Sequence, residues 1–185
     1  ENGIRLKLHL EKTYFSARSG NERLRIARLV KKGEEVLVMF SGSAPYPLVI
    51  AKNSPAKVIY GLEINILAHQ YALENVKLNK FEDKIAIFEG DVRDILPKFR
   101  KKFNRIAMPL PKTGERFLNL VLKKVKKNGF IHLYDFLNEN EIDSQAKVVR
   151  DICKRNKKKI RILRKVKCGQ FAPGVFRVCF DLKVL

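Results

Sequence analysis

Apolar runs recur along the chain, with stretches of mixed polarity between them. Five runs are nearly continuous in apolar residues: 35–40 (EVLVMF), 57–64 (KVIYGLEI), 85–89 (IAIFE), 105–110 (RIAMPL) and 129–136 (GFIHLYDF). Continuity of this kind is expected of strands buried on both faces of a parallel sheet. The stretches between them, 43–52, 65–78, 93–100 and 113–126, have helical length. Asn65 is placed to cap the second, and Gly129 follows the fourth where a helix commonly stops. Strand and helix alternate, which predicts an α/β architecture with a doubly wound, mostly parallel sheet.

Both ends break the alternation. Residues 138–156 predict a helix, followed by strands over 159–168 and 175–185 joined by CGQFAPG, short enough for an antiparallel hairpin. A parallel sheet closed by such a hairpin is the seven-stranded, Rossmann-like arrangement of class I S-adenosylmethionine-dependent methyltransferases. At the front, Ile4, Leu6, Leu8 and Leu10 alternate with polar residues, predicting a half-buried strand in need of partners, and 21–31 predicts an Arg-rich helix. Residues 1–20 therefore read as the end of an upstream linker or small domain, and 21–185 as the catalytic domain. The chain begins at Glu1 rather than Met, so a fragment of a longer protein is expected.

Composition narrows the classes. With 185 residues and 45% hydrophobic content the chain can bury a core, which excludes wholesale disorder. No apolar run approaches the roughly 20 residues of a membrane span, and no signal peptide is visible. The scattered Cys153, Cys168 and Cys179 form neither a disulfide framework nor a metal pair, so a reducing cytoplasm and no metal are expected. A monomer is expected as well. The net charge of +20 is uneven. Residues 38–92 carry five Lys against six acids; 93–128 carry twelve Lys/Arg against two acids, and 144–168 eleven against one. Two basic blocks without matching acids point to a polyanion partner, most often nucleic acid.

Three strand ends carry groups suited to a nucleoside cofactor, at the carboxyl edge where α/β sheets bind ligands. The first runs into Phe40-Ser41-Gly42-Ser43-Ala44-Pro45, where Gly42 lets a ligand approach the backbone. The second ends at Glu63, whose carboxylate suits two ribose hydroxyls. The third is followed by Gly90-Asp91-Val92, where the Asp suits an adenine amino group. An acid after the second strand also suits NAD; the missing GxGxxG and the antiparallel tail favour S-adenosylmethionine. At the fourth strand end, Met108-Pro109-Leu110-Pro111-Lys112 forms a rigid corner that presents carbonyls. Arg18 and Glu22 stand four apart and fall on one side of a helix turn. They suit a base and an electrophile acting on guanine N1–H, although spacing alone favours a surface salt bridge.

In order along the chain, YFSARSGNER, VLVMFSGSAPYP, IYGLEIN, ALENVKLN, EGDVRDI and MPLPKTGERFL resemble the archaeal and eukaryotic tRNA (guanine-37 N1)-methyltransferases. The resemblance implies S-adenosyl-L-methionine as cofactor, the anticodon loop of tRNA at position 37 as partner, and an upstream tRNA-docking domain. It implies Glu22 as general base, Arg18 as its electrostatic partner and Pro109 at the target corner. The cofactor set becomes Tyr14, Phe15, Arg18, Phe40, Ser41, Gly42, Ser43, Glu63, Ile64, Asp91, Val92, Pro109 and Leu110. Two positions depart from the family: Val38 replaces an Asp, and Pro109 replaces the target-contacting Asn. The Pro109 change and the SAPYP loop are similar to an archaeal subgroup that methylates guanosine 37 and also C7 of a tricyclic wyosine precursor. The rival readings are a monofunctional guanine-37 N1 methyltransferase, a related enzyme that moves the aminocarboxypropyl group of the same cofactor, and a basic RNA-binding module without turnover.

Overall fold

The computed structural model describes residues 1–109 and 114–185. They form two compact units, Glu1–Lys98 and Phe99–Leu185. Seven strands, mostly parallel and ending in an antiparallel hairpin, give the expected α/β class.

The first unit holds helix α1 (Gly20–Leu29), strand β1 (Glu35–Met39), helix α2 (Pro45–Asn53), strand β2 (Val58–Glu63), helix α3 (Ile66–Leu78), strand β3 (Ile85–Glu89) and the short helix α4 (Val92–Ile95). The strands are parallel in the order β3-β2-β1, with Leu37 beside Tyr60 and Tyr60 beside Ala86. Val36, Leu37, Val38 and Met39 are all fully buried, as a continuous apolar run demands. Asn65 caps α3 as expected, accepting from the Ala68 N–H. In α2, Pro45 stands in the first turn, where a missing N–H has no cost.

The second unit holds β4 (Phe103–Met108), α5 (Leu118–Lys124), β5 (Val125–Asn138), α6 (Ile142–Arg155), β6 (Ile160–Ala172) and β7 (Val175–Val184). Its order is β4-β5-β7-β6, with β4 and β5 parallel and the other pairs antiparallel. Helix α6 buries Ala146, Val149, Ile152 and Cys153 along one stripe. Among the described residues no helix is long and apolar enough to cross a membrane.

Four expectations are corrected. Residues 4–10 form no strand; they run extended along α3, as described below. Gly129 does not stop a helix: α5 ends at Lys124, and Gly129 lies inside β5. There a Cβ would stand 2.8 Å from Val125 Cγ2 and 2.9 Å from the Asn104 and Lys126 carbonyls, so only glycine permits the approach. The hairpin turn is Pro173-Gly174 rather than CGQFAPG, with Gly174 at φ +75°. Strand β4 begins two residues before the expected run and ends at Met108.

Candidate cofactor and base site

Glu63 organises the carboxyl edge of the first unit. Its Oε2 accepts the Gly42 N–H at 2.7 Å and its Oε1 accepts the Asn65 N–H at 2.8 Å. The side chain is buried, so these bonds offset the cost of placing a charge there. They also lock the carboxylate in one orientation, with its outer lone pairs turned away from both donors. The loop beside it alternates handedness: Phe40, Gly42 and Ala44 have φ of +55°, +56° and +69°. Two non-glycine residues in this region are a local strain of the kind kept at binding sites. A Cβ at position 42 would meet the Tyr14 carbonyl at 3.7 Å.

Gly61 makes this packing possible. A Cβ there would lie 2.6 Å from Ile87 Cδ1 and 2.9 Å from Ser41 Oγ. Ser41 therefore points back at β2, and what it offers the edge is backbone. Ile64 is 62% exposed next to Glu63, an apolar surface at the carboxyl edge. Asp91 takes a local role: it caps α4 through the Arg93 N–H at 2.7 Å, and the Arg93 guanidinium embraces its carboxylate. That side-chain bond holds the Asp91 carboxyl below its usual range. Val92 is buried behind it.

Residues 12–16 pass over this edge. Asn65 Nδ2 donates to the Lys12 carbonyl at 3.2 Å, Tyr14 is exposed, and Phe15 packs under Arg23 at 5.0 Å. Arg23 is buried, also reaches the Tyr46 ring, and donates to the Ser16 carbonyl at 2.9 Å. Glu22 is buried too. Its partner is not Arg18, as spacing suggested, but Arg25: Nε and Nη2 reach Oε2 and Oε1 at 2.7 and 2.8 Å. Arg18 belongs to a 3-10 turn (Ala17–Ser19) before the helix, is exposed, and makes no ion pair among the described residues. The turn before α1 breaks the four-residue periodicity that would have joined them. In the second unit Pro109 follows the last residue of β4 and is half-buried; Leu110, Pro111 and Lys112 lie outside the described residues.

A sequence profile of the TRM5/TYW2 methyltransferase domain matches residues 1–163. The chain belongs to the TRM5/TYW2 methyltransferase family. It is 35% identical over its whole length to the tRNA (guanine(37)-N(1))-methyltransferase Trm5b of Pyrococcus abyssi, covering 54% of that protein. It is 32% identical over 82% of its length to the bifunctional tRNA (guanine(37)-N(1))/4-demethylwyosine(37)-methyltransferase Taw22 of Nanoarchaeum equitans, covering 67% of it. It is 31% identical throughout to a tRNA(Phe) (4-demethylwyosine(37)-C(7)) aminocarboxypropyltransferase of Pyrococcus horikoshii, covering 66%. Crystal structures of P. abyssi Trm5b and of Methanocaldococcus jannaschii TYW2 with AdoMet each superpose over the entire chain with TM-scores of 0.90, at 34% and 28% identity and covering 54% and 83% of those chains. A complex of aTrm5 with tRNALeu superposes at 0.85, at 32% identity, covering all of this chain and 51% of that one. The chain thus spans about half the length of several relatives it matches, and its fold is that of a class I methyltransferase.

Within this TRM5/TYW2 domain, sequence reasoning missed two groups. Asn75 is fully buried, and its amide pairs with both the N–H and the carbonyl of Lys7, at 2.7 and 2.8 Å, and with the Ser43 carbonyl at 3.0 Å. It ties the entering segment to the Gly42 loop. The signal was present as the Asn-x-x-x-Asn spacing of Asn75 and Asn79. The second group is His132, given no role in the sequence. Its Nδ1 meets Asp181 at 2.6 Å and its Nε2 meets Arg105 at 2.8 Å, all three buried. Arginine always donates, so Nε2 accepts and Nδ1 carries the proton. With Cys179, these residues place three metal-type ligand atoms within 4.8 Å. The Arg105 guanidinium stands on the imidazole where a cation would compete, so the cluster reads as a neutralised ion pair bridging β4, β5 and β7.

Proposed function

We propose that this chain is the catalytic part of a tRNA-modifying enzyme that transfers methyl from S-adenosylmethionine to N1 of guanosine 37, and also to C7 of the tricyclic wyosine precursor at that position. The observation that carries the reading is the Glu63 cradle. Both carboxylate oxygens are fixed by backbone N–H groups, bare Gly42 backbone lies beside them, and exposed Ile64 follows. This donor and acceptor set fits an adenosine: two ribose hydroxyls on Glu63, and a purine face on Ile64. The AdoMet complex of M. jannaschii TYW2 and the tRNALeu complex of aTrm5 support the choice of cofactor and partner.

When bound, the cofactor supplies an electrophilic methyl on sulfur. The residues of the chain do the rest. Glu22 accepts the proton leaving guanine N1, with Arg25 holding the carboxylate in place. Arg18, exposed and without an ion pair among the described residues, meets the negative charge that develops on O6. Pro109, where the resemblance expects a target-contacting Asn, carries no side-chain amide. A second reading, aminocarboxypropyl transfer, is favoured by the relative of that name at 31% identity.

The enzyme incubated with S-adenosylmethionine and two tRNAs, one with G37 and one with the tricyclic precursor, tests this by nucleoside mass. Methyl on both supports the proposal; methyl on G37 alone removes the Pro109 argument. Methylthioadenosine in place of S-adenosylhomocysteine identifies the aminocarboxypropyl reaction. Glu22→Gln is expected to lower turnover on G37 by about 10²–10⁴-fold while cofactor affinity stays the same.

A further inference from the structure

Strand β6 is the outer strand of the order β4-β5-β7-β6. Residues 154–167, from the last turn of α6 through most of β6, carry nine Lys/Arg and no acid. On β6 itself Arg161, Arg164, Lys165 and Lys167 are exposed. Arg161 and Arg164 make no ion pair among the described residues. Lys165 pairs with Asp143, and Lys167 with Glu139 at 2.5 Å, but both acids are well exposed. Exposed pairs of this kind contribute little and yield readily to a phosphate.

At the far end of β6, Phe171 is 59% exposed, yet its ring is ordered against Phe136, with centroids 4.1 Å apart and planes 27° from parallel. Phe136 lies three residues beyond Leu133, which pairs with Met108 at the end of β4. Because β7 runs back along β5 with Val175 beside Asn138, the hairpin reaches this same carboxyl edge. Ligands of α/β sheets bind at such edges.

Protection of an edge strand accounts for part of this. Lysines and register breaks discourage strand addition, and β6 has three breaks against β7. Protection does not account for a stacked phenylalanine held open to solvent, nor for fourteen residues without an acid.

We propose that the β6 edge and the Phe136–Phe171 stack form an RNA docking surface. Phosphates lie along Arg161 and Arg164, which the register with Lys183 and Asp181 places on one face, and an unpaired base stacks on the open face of Phe171. Aromatic platforms flanked by cations bind unpaired nucleotides in this way. The inference rests on the reading of tRNA as substrate and names the surface that receives its loop.

The test measures fluorescence anisotropy of two RNAs at several salt concentrations, alongside methyl transfer to whole tRNA. One RNA is an anticodon stem-loop with G37; the other is a duplex of equal length without unpaired bases. Phe171→Ala is expected to weaken the stem-loop about tenfold and leave the duplex unchanged, while Phe171→Tyr binds as wild type. Arg161→Ala with Arg164→Ala is expected to lower the slope of log K against log salt by about 0.7 per arginine. Thermal unfolding of each variant, expected to match wild type, separates binding from folding. Wild-type turnover with all variants binding normally overturns the docking surface and leaves the function standing. Equal weakening of stem-loop and duplex by Phe171→Ala overturns the stacking role. Wild-type protein that neither binds nor modifies tRNA overturns both.

Discussion

Glu63 shows how much one carboxylate decides at this edge. Its two bonds to Gly42 and Asn65 hold the loop after β1 and the start of α3 in a fixed relation. Glu63→Gln sets an amide N–H against one of those backbone donors. Cofactor affinity is expected to fall about tenfold to a hundredfold, read by calorimetry, which corresponds to the ~1.5–3 kcal/mol of a charged hydrogen bond. Gly61→Ala would drive a methyl into Ile87 and Ser41, at a cost of about 1–3 kcal/mol in urea unfolding. Asp135 on β5 is a different case. Burial, with Glu115 and Glu141 near, pushes its carboxyl up to about 6, against Phe136 N–H and Gln145 bonds that pull it down. A raised acid means the folded state binds the proton more tightly between about pH 4 and 6. Stability from this group is full below that window and is lost as pH rises through it. Unfolding midpoints at pH 4–8 are expected to lose this component in Asp135→Asn.

At the scale of elements, the informative case is the segment 4–10. Its alternation matched a half-buried strand, and its backbone is extended, but no strand pairs with it. Asn79 bonds both the N–H and the carbonyl of Arg5, and Asn75 does the same for Lys7. Residues i and i+4 of a helix are about 6 Å apart along its axis, close to the two-residue rise of an extended chain. Two asparagines thus imitate a neighbouring strand. Asn75→Leu would leave the Lys7 N–H and carbonyl and the Ser43 carbonyl without their partner. A loss of about 2–4 kcal/mol is expected by urea unfolding, together with weaker cofactor binding, because the Gly42 loop loses its tether. Asn79, half-buried at the helix end, is expected to cost less. Alternation reveals that one side of a segment is buried and says nothing of what covers it. The same limit explains Gly129: a glycine after a helix reads as a stop, and only the Asn104 and Lys126 carbonyls pressing on it give the other reason.

At the scale of the molecule, the charge of +20 is concentrated outside the residues proposed to hold the cofactor. Residues 38–92 are near neutral, and the two basic blocks follow. Affinity for tRNA is therefore expected to be strongly salt-dependent: with six or more phosphates neutralised, about 10³-fold is lost between 50 and 200 mM salt, read by filter binding. Cofactor affinity is expected to stay nearly flat over the same range, since Glu63 is buried and residues 38–92 are near neutral.

The α/β alternation, the parallel runs and the closing hairpin were legible in the sequence. They are local: apolar continuity and turn residues carry them. The partners of the buried polar side chains were not. Glu22 met Arg25 instead of Arg18 because a 3-10 turn shifted the start of α1. His132 joined Arg105 and Asp181 across strands 27 and 49 residues apart in sequence. Asn75 reached back 68 residues to Lys7. Hydrophobic period decides which face of an element is buried; only packing in three dimensions decides which buried polar group satisfies which other.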